Sequence, residues 1–304
     1  MRPDGVRRGS GLAAVREPDS EAVLDSLERG LDALEPPAAP TGSAWRRRAG
    51  KALPPLLAVA LVLLVWQVLI WAEIKPRWTF PSPGDVAATL VDQWRQGTLP
   101  QAIWLSLSRG VLGFLASVAI GTPLGLVVAR VKPLRTALAP VLSGLQSLPS
   151  VAWVPAGILW FGLSPATIYF VVLLGAVPSI ANGTISGIDQ VPPLYLRVGR
   201  VLGAKGLRAA RYVVMPAALP GYLGGLKQGW AFAWRSLMAA ELITQSPRLG
   251  TGLGQLLDTG RQLIDSSLVF GMIISILVVG VAVDRIFFSP VERGVLRRRG
   301  LLVE

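Results

Sequence analysis

Long apolar runs without a charge constrain this chain more than any other feature. Residues 54–72 carry no charged side chain, and a bilayer core is crossed by about 20 apolar residues as helix. Comparable runs, some interrupted by one or a few charges, lie at 103–129, 137–162, 166–188, 217–243 and 267–288. They are continuous and do not alternate, which favours helices over the strands of a β-barrel. The fold class is therefore all-α integral membrane, with about six transmembrane helices. Composition agrees: only 16% of the residues are charged, against about a quarter in a soluble domain.

Missing residue types narrow the chemistry. The sequence has no cysteine and no histidine. Disulfides and thiolate metal sites are excluded, and so are the commonest general base and metal ligand. No metal site and no catalytic constellation is visible. The net charge of +12 does not come from the N-terminal tail, because residues 1–50 hold eight Arg and eight Asp/Glu. The surplus gathers beside the spans, which points to membrane topology and not to nucleic acid.

Three regions follow. Residues 1–50, rich in Ala, Pro and mixed charge, read as a largely disordered cytoplasmic tail. A short amphipathic helix through Leu24, Leu27, Leu31 and Leu34 ends at Pro36 and Pro37. Residues 51–291 form the transmembrane domain, and 292–304 a basic cytoplasmic tail. Arg46, Arg47, Arg48 and Lys51 precede the first span and place the N-terminus inside. Arg130, Lys132 and Arg135 follow the second span, and the stretch VERGVLRRRG follows the sixth. Opposite them lie only Lys75, Arg77, Arg95, Arg248 and Arg261. Pro83 and Asp85 start an interfacial helix with Val86, Leu90 and Trp94 on its apolar face. In 137–162, Pro140, Pro149 and Pro155 break the third span. Its pieces of 12 residues on each side of Pro149 are about 18 Å long as helix, too short to cross separately. One broken span is expected there, its freed backbone groups either lining a pathway or packed in protein.

Between the fourth and fifth spans lies the most basic loop. Residues 194–220 carry Arg197, Arg200, Lys205, Arg208 and Arg211 and no acidic residue. Pro192 and Pro193 stop the fourth span and suit the start of a new helix. Val198, Val201 and Leu202 share a face of that helix, and Gly203 suits its C-terminal cap, where φ is positive. A second short helix follows through Leu207, Ala210 and Val214, and Pro216 and Pro220 mark the entry to the fifth span. Such a loop can orient the protein, touch anionic lipid, or dock a partner.

The loop resembles the signature of permease subunits of bacterial ATP-binding-cassette importers: Glu-Ala-Ala, three residues, Gly, nine residues, Ile-x-Leu-Pro. Gly203 takes the glycine place, and Val213, Val214, Met215 and Pro216 stand in the last four. The triplet is here Arg197, Val198, Gly199, with charge reversed at the glutamate place. The stretches SLPSVAWVPAGILWFGLSP (147–165) and GLKQGWAFAWRSLMAAELI (225–243) are similar to the nitrate, taurine and aliphatic-sulfonate permeases. The likeness covers about residues 55–295. It implies a homodimer of permeases, each docked on one of two ATP-binding-cassette ATPase subunits, with an extracytoplasmic solute-binding protein delivering the substrate. ATP and Mg would sit on the ATPase, and this chain would bind no cofactor. The implied coupling residues are Arg197, Arg200, Leu202, Gly203, Ala204, Lys205 and Pro216. The implied substrate is a sulfonate, taurine or nitrate-like anion. Related permeases for thiamine-precursor pyrimidines or other small organic solutes, and an ion-coupled secondary transporter, are the alternatives. The sequence has no GxxxxGK[ST] phosphate loop, so the ATPase is another polypeptide.

Charges within the fifth span are the remaining site candidates, since a charge at mid-bilayer costs at least about 2.5 kcal/mol. Lys227 lies near the cytoplasmic end, where it can snorkel. Arg235, flanked by Trp230 and Trp234, can hold an anion through paired N–H donors. It can instead pair with Glu241, but residues six apart are not neighbours on one helix face. Arg235, Trp234, Glu241, Lys227, Pro149 and Pro155 are the pathway candidates.

Overall fold

The computed structural model describes residues 44–73, 76, 78–246 and 249–298. The expected helix through Leu24 and Leu34, most of the N-terminal tail and residues 299–304 lie outside the described residues. Every described element is helical. The chain divides into two compact units, residues 1–62 and 63–304. Of the first, only the start of helix α1 (Ala44–Trp71) is described, and its residues 53–62 are continuously apolar.

In the second unit, Trp66 near the end of α1 donates from Nε1 to the Pro81 carbonyl at 3.1 Å. Its ring lies within 6.0 Å of Phe80 and 5.6 Å of Phe270. Helix α2 (Pro83–Arg95) starts on a capping box between Ser82 and Asp85, the reciprocal pairing that satisfies two orphan donors. It buries Val86 and leaves Trp94 exposed. Helix α3 (Thr98–Arg130) begins five residues before the expected start and runs through Pro123.

The third predicted span is broken. Helix α4 (Lys132–Ser147) ends at Leu148–Pro149, and a 3-10 turn (Ser150–Trp153) leads into α5 (Val154–Phe161). The chain turns through 98° at this break. Helix α6 (Pro165–Asp189) is the centre of the bundle and the most buried of the long apolar helices. After the loop come α9 (Met215–Ile243), α10 (Leu253–Gln262) and α11 (Ser266–Val283), followed by a π-helical turn (Asp284–Phe288) and α12 (Ser289–Arg298). The apolar pattern predicts a loop over 244–266, whereas the structure has a ten-residue helix, α10, within it.

Helix α6 sits between α3 and α9, and small residues set the spacing. A Cβ on Gly183 would stand 2.3 Å from the Cα of Gly225, and one on Gly125 would stand 2.7 Å from the Ala181 carbonyl. Backbones this close are possible only where side chains are missing, and dispersion contacts then run the length of the helices. Among the described residues, four helices are long and apolar enough to cross a membrane, or five spans if α4 and α5 count as one. Helix α9, with 29 residues, is long enough but less apolar: it carries Lys227, Arg235 and Glu241.

Candidate functional site

The loop between α6 and α9 begins with helix α7 (Pro193–Val201). Its end is a Schellman turn: Ala204 N–H donates to the Gly199 carbonyl at 2.8 Å, and Gly203 N–H to the Arg200 carbonyl at 3.1 Å. The residue between the helix end and the return must be left-handed, and Gly203 has φ +80°. Gly199 is the contact point with the returning chain, since a Cβ there would lie 2.9 Å from Val213 Cγ2. The small residue in the signature triplet thus seats α7 against the return. The return differs from expectation. A short helical turn, α8 (Gly206–Ala209), passes through a π-helical turn (Ala210–Val214) directly into α9, with no break before Pro216. The widened turn accommodates Pro216, which donates no backbone hydrogen bond.

This loop presents an apolar tip together with five exposed basic side chains. Val201 is 86% exposed and Leu202 80% exposed, and Arg197, Arg200, Lys205, Arg208 and Arg211 of the same loop are exposed as well. Ala204 is half-buried beneath the turn and Pro216 is exposed. Below the tip, a cavity of about 750 Å³ is lined by Gln190, Tyr195, Tyr212, Pro216 and Gly221 among others.

The open face of α9 is unlike a lipid-facing one. Gly224, Gln228, Ala231 and Arg235 are exposed along it. Between Met215 and Ile243 no described large apolar side chain is exposed, whereas α11 exposes Leu277, Val278 and Val281. Polar and small residues are costly against lipid and suit a water-filled path or a second protein surface. Arg235 donates from Nε to the Ala231 carbonyl at 3.1 Å, and its guanidinium lies 4.6 Å from the Phe232 ring centroid. It borders a cleft of about 320 Å³ that includes Pro149 and the backbone of the α4–α5 break.

Comparison with known proteins bears on both features. Residues 121–288 match the family model described as binding-protein-dependent transport system inner membrane component. The chain belongs to that family. The permease is 31% identical to the Bacillus subtilis protein named as an aliphatic sulfonates transport permease, SsuC, over 80% of this chain and 87% of that one. It is 30% identical to the nitrate import permease protein NrtB of Synechocystis, over 76% of this chain and 84% of that one. A solved structure of the MetNI methionine ABC transporter in inward-facing conformations shares the fold. The TM-score is 0.51 at 19% identity, over 65% of this chain and 95% of that chain. The protein is thus an ABC importer permease subunit and not an enzyme, and ATP hydrolysis belongs to a separate ATPase. The ion-coupled secondary transporter is set aside by the family.

Within the permease, the pathway candidates separate. Arg235 and Pro149 meet at one cleft. Pro155 lies on the exposed side of α5, outside that lining. Trp234 is buried: it stacks on Trp230 and donates from Nε1 to the Ile276 carbonyl of α11 at 3.3 Å. Lys227 lies 3.3 Å from Asp284 and 3.6 Å from Glu292, and ties α9 to the last helical segment.

Glu241 does not pair with Arg235. It is fully buried and meets Arg109 of α3 at 2.8 Å. Its other oxygen accepts from Ser106 Oγ at 2.6 Å and from the Gly254 N–H at 3.1 Å. Arg109 also donates to the Leu249 carbonyl. Gln255 closes the cluster: its carbonyl accepts from the Gly252 N–H at 2.6 Å, and its amide donates to the Thr244 carbonyl at 3.2 Å. A Cβ on Gly252 would stand 2.5 Å from Glu241 Oε1, so the missing side chain makes room for the carboxylate. Arg109 was absent from the sequence-based candidates, although a lone arginine in an apolar span was itself the available signal.

Proposed function

We propose that two copies of this permease pair in the membrane, each docking one ATP-binding-cassette ATPase through the 194–214 loop, and that they move a small anion delivered by an extracytoplasmic binding protein. ATP and Mg are held by the ATPase. The carrying observation is the exposed apolar tip at Val201 and Leu202, fixed by a Gly203 turn in a loop whose arginines are also exposed. A short rigid helix with an apolar tip can seat in a partner's groove and pass rigid-body motion to the spans. Residues 51–291 are the permease domain on this reading, and 292–304 its cytoplasmic tail. Counting α9 with the four apolar helices and the bent pair gives six crossings with both termini inside. The anion class, a sulfonate, taurine or nitrate-like solute, is supported by the named relatives and by Arg235 on the open face of α9.

Leu202→Asp tests the docking. A buried charge opposite an apolar groove is strongly unfavourable. The ATPase is expected to co-purify with the native permease and to be lost, by at least tenfold, with the variant. Undiminished co-purification contradicts the docking role of the tip.

A further inference from the structure

Under helix α2 lies a groove that neither docking nor solute transport uses. We infer that it holds an anionic phospholipid of the surrounding bilayer, with an acyl chain along the groove and the phosphate on Arg95. The groove shares no lining residue with the Arg235 cleft or with the cavity below the loop tip. Its volume is about 440 Å³, within the range of small-molecule sites, about 300–1,000 Å³. Leu90 and Val91 of α2, Leu99 and Ile103 of α3, and Ile274 and Val278 of α11 form its walls. Ser275 adds a hydroxyl, which is satisfied by donating to the Gly271 carbonyl at 2.8 Å. Such walls have no free polar group for a polar solute, and they give a hydrocarbon chain dispersion contacts along its length. The walls continue into exposed apolar surface at Val91 and Val278, and α11 also exposes Leu277 and Val281. In a bilayer that flank meets lipid.

One residue of the lining is charged. Arg95 closes α2 directly after Trp94, one turn on from Leu90 and Val91, and both Trp94 and Arg95 are exposed. Arg95 forms no ion pair with a described residue, the exposed Asp92 on its own helix included. Helix α3 sets the depth. It is an apolar helix of 33 residues starting at Thr98, about 50 Å long, against roughly 40–45 Å for a bilayer with its headgroups. Arg95, just before the first turn of α3, therefore stands at headgroup level, where Trp is also favoured. Leu99 and Ile103 lead from there towards the hydrocarbon. A free guanidinium at that level meets lipid phosphate and pairs with it bidentately. A lipid of net negative charge gains more from one cation than a zwitterionic lipid, whose own ammonium offsets the phosphate.

The test is native mass spectrometry of the permease–ATPase complex, stripped of lipid in detergent and titrated with phosphatidylglycerol. The native complex is expected to take up one lipid per permease chain ahead of any further binding. Arg95→Gln should weaken that uptake about fivefold, the effect of one cation at a charged headgroup. Val278→Trp, which fills the groove, should weaken it at least as much. Arg285→Gln, which removes an exposed arginine just past the far end of α11, should leave it unchanged. Phosphatidylethanolamine should bind about fivefold more weakly, and glycerol phosphate, a head without chains, should not compete. No uptake by the native complex, equal uptake by Arg95→Gln, equal binding of the two lipids, or displacement by glycerol phosphate overturns the inference. A fall in the number of permease chains in the Val278→Trp complex also overturns it, since the groove is then the seat of a second copy.

Discussion

At the scale of single residues, the buried Arg109–Glu241 pair has the largest stake. Removing water from two charges is expensive, and the loss is recovered only where every donor and acceptor finds a partner. Here Glu241 accepts from Arg109, Ser106 and Gly254, and Arg109 also reaches the Leu249 carbonyl. Glu241→Ala leaves Arg109 buried and unpaired, and should destabilise the protein by about 3–5 kcal/mol. An apolar pair of similar volume, Arg109→Met with Glu241→Leu, should lose less than either single truncation. Thermal unfolding of the detergent-solubilised protein measures both. A double variant no more stable than the single ones would mean that the cluster is not an ion pair in energetic terms. The sequence displayed both charges inside apolar runs but not their pairing, because 132 positions separate them and no helical periodicity links residues on different spans.

At the scale of elements, the bundle depends on glycine seams. Gly225 faces Gly183 with no room for a side chain, while Gly224, one residue earlier, has open space beside it. Gly225→Leu should therefore abolish the monodisperse peak in size-exclusion chromatography of extracted protein, and Gly224→Ala should leave it unchanged. Loss in both, or in neither, would contradict the packing. Four of the expected spans were legible as long apolar helices, and a fifth as the bent pair, since apolar runs of that length have few alternatives. The break at Leu148–Pro149 was also legible from the prolines. Helix α10 was not. Its polar residues Gln255 and Asp258 are buried, Gln255 bonded to the backbone of Gly252 and Thr244 and Asp258 to the Arg261 side chain, and in the sequence they masked the apolar spacing of Leu253, Leu256 and Leu257. The second short helix of the basic loop also differed, because the π-helical turn at Ala210–Val214 lets the chain run on into α9.

At the scale of the whole molecule, two surfaces stand apart from the lipid-facing helices: the basic loop with its apolar tip, and the polar face of α9. The family is the inner membrane component of a binding-protein-dependent transport system, and α9, which carries the polar face, is continuous with the return of the loop. Helix α9 continues from the loop's π-helical turn to Arg235 and on to Glu241. On the docking proposed above, a push on the loop would pass through the π-helical turn into α9, and along it to the cleft and to the buried ion pair. Composition and charge give the expectation that the loop is cytoplasmic. The polar face of α9 was hidden in the sequence, because which residues of α9 remain uncovered depends on how α3, α6 and α11 pack against it.

The most direct measurement of this coupling is the ratio of solute imported to ATP hydrolysed by the transporter in proteoliposomes, with Gly203→Val against the native permease. Valine at φ +80° is strained by about 1–2 kcal/mol, enough to distort the turn while leaving the spans folded. The account predicts that the variant still binds the ATPase and hydrolyses ATP, with import per ATP reduced at least tenfold. An unchanged ratio in a variant that assembles normally would contradict it.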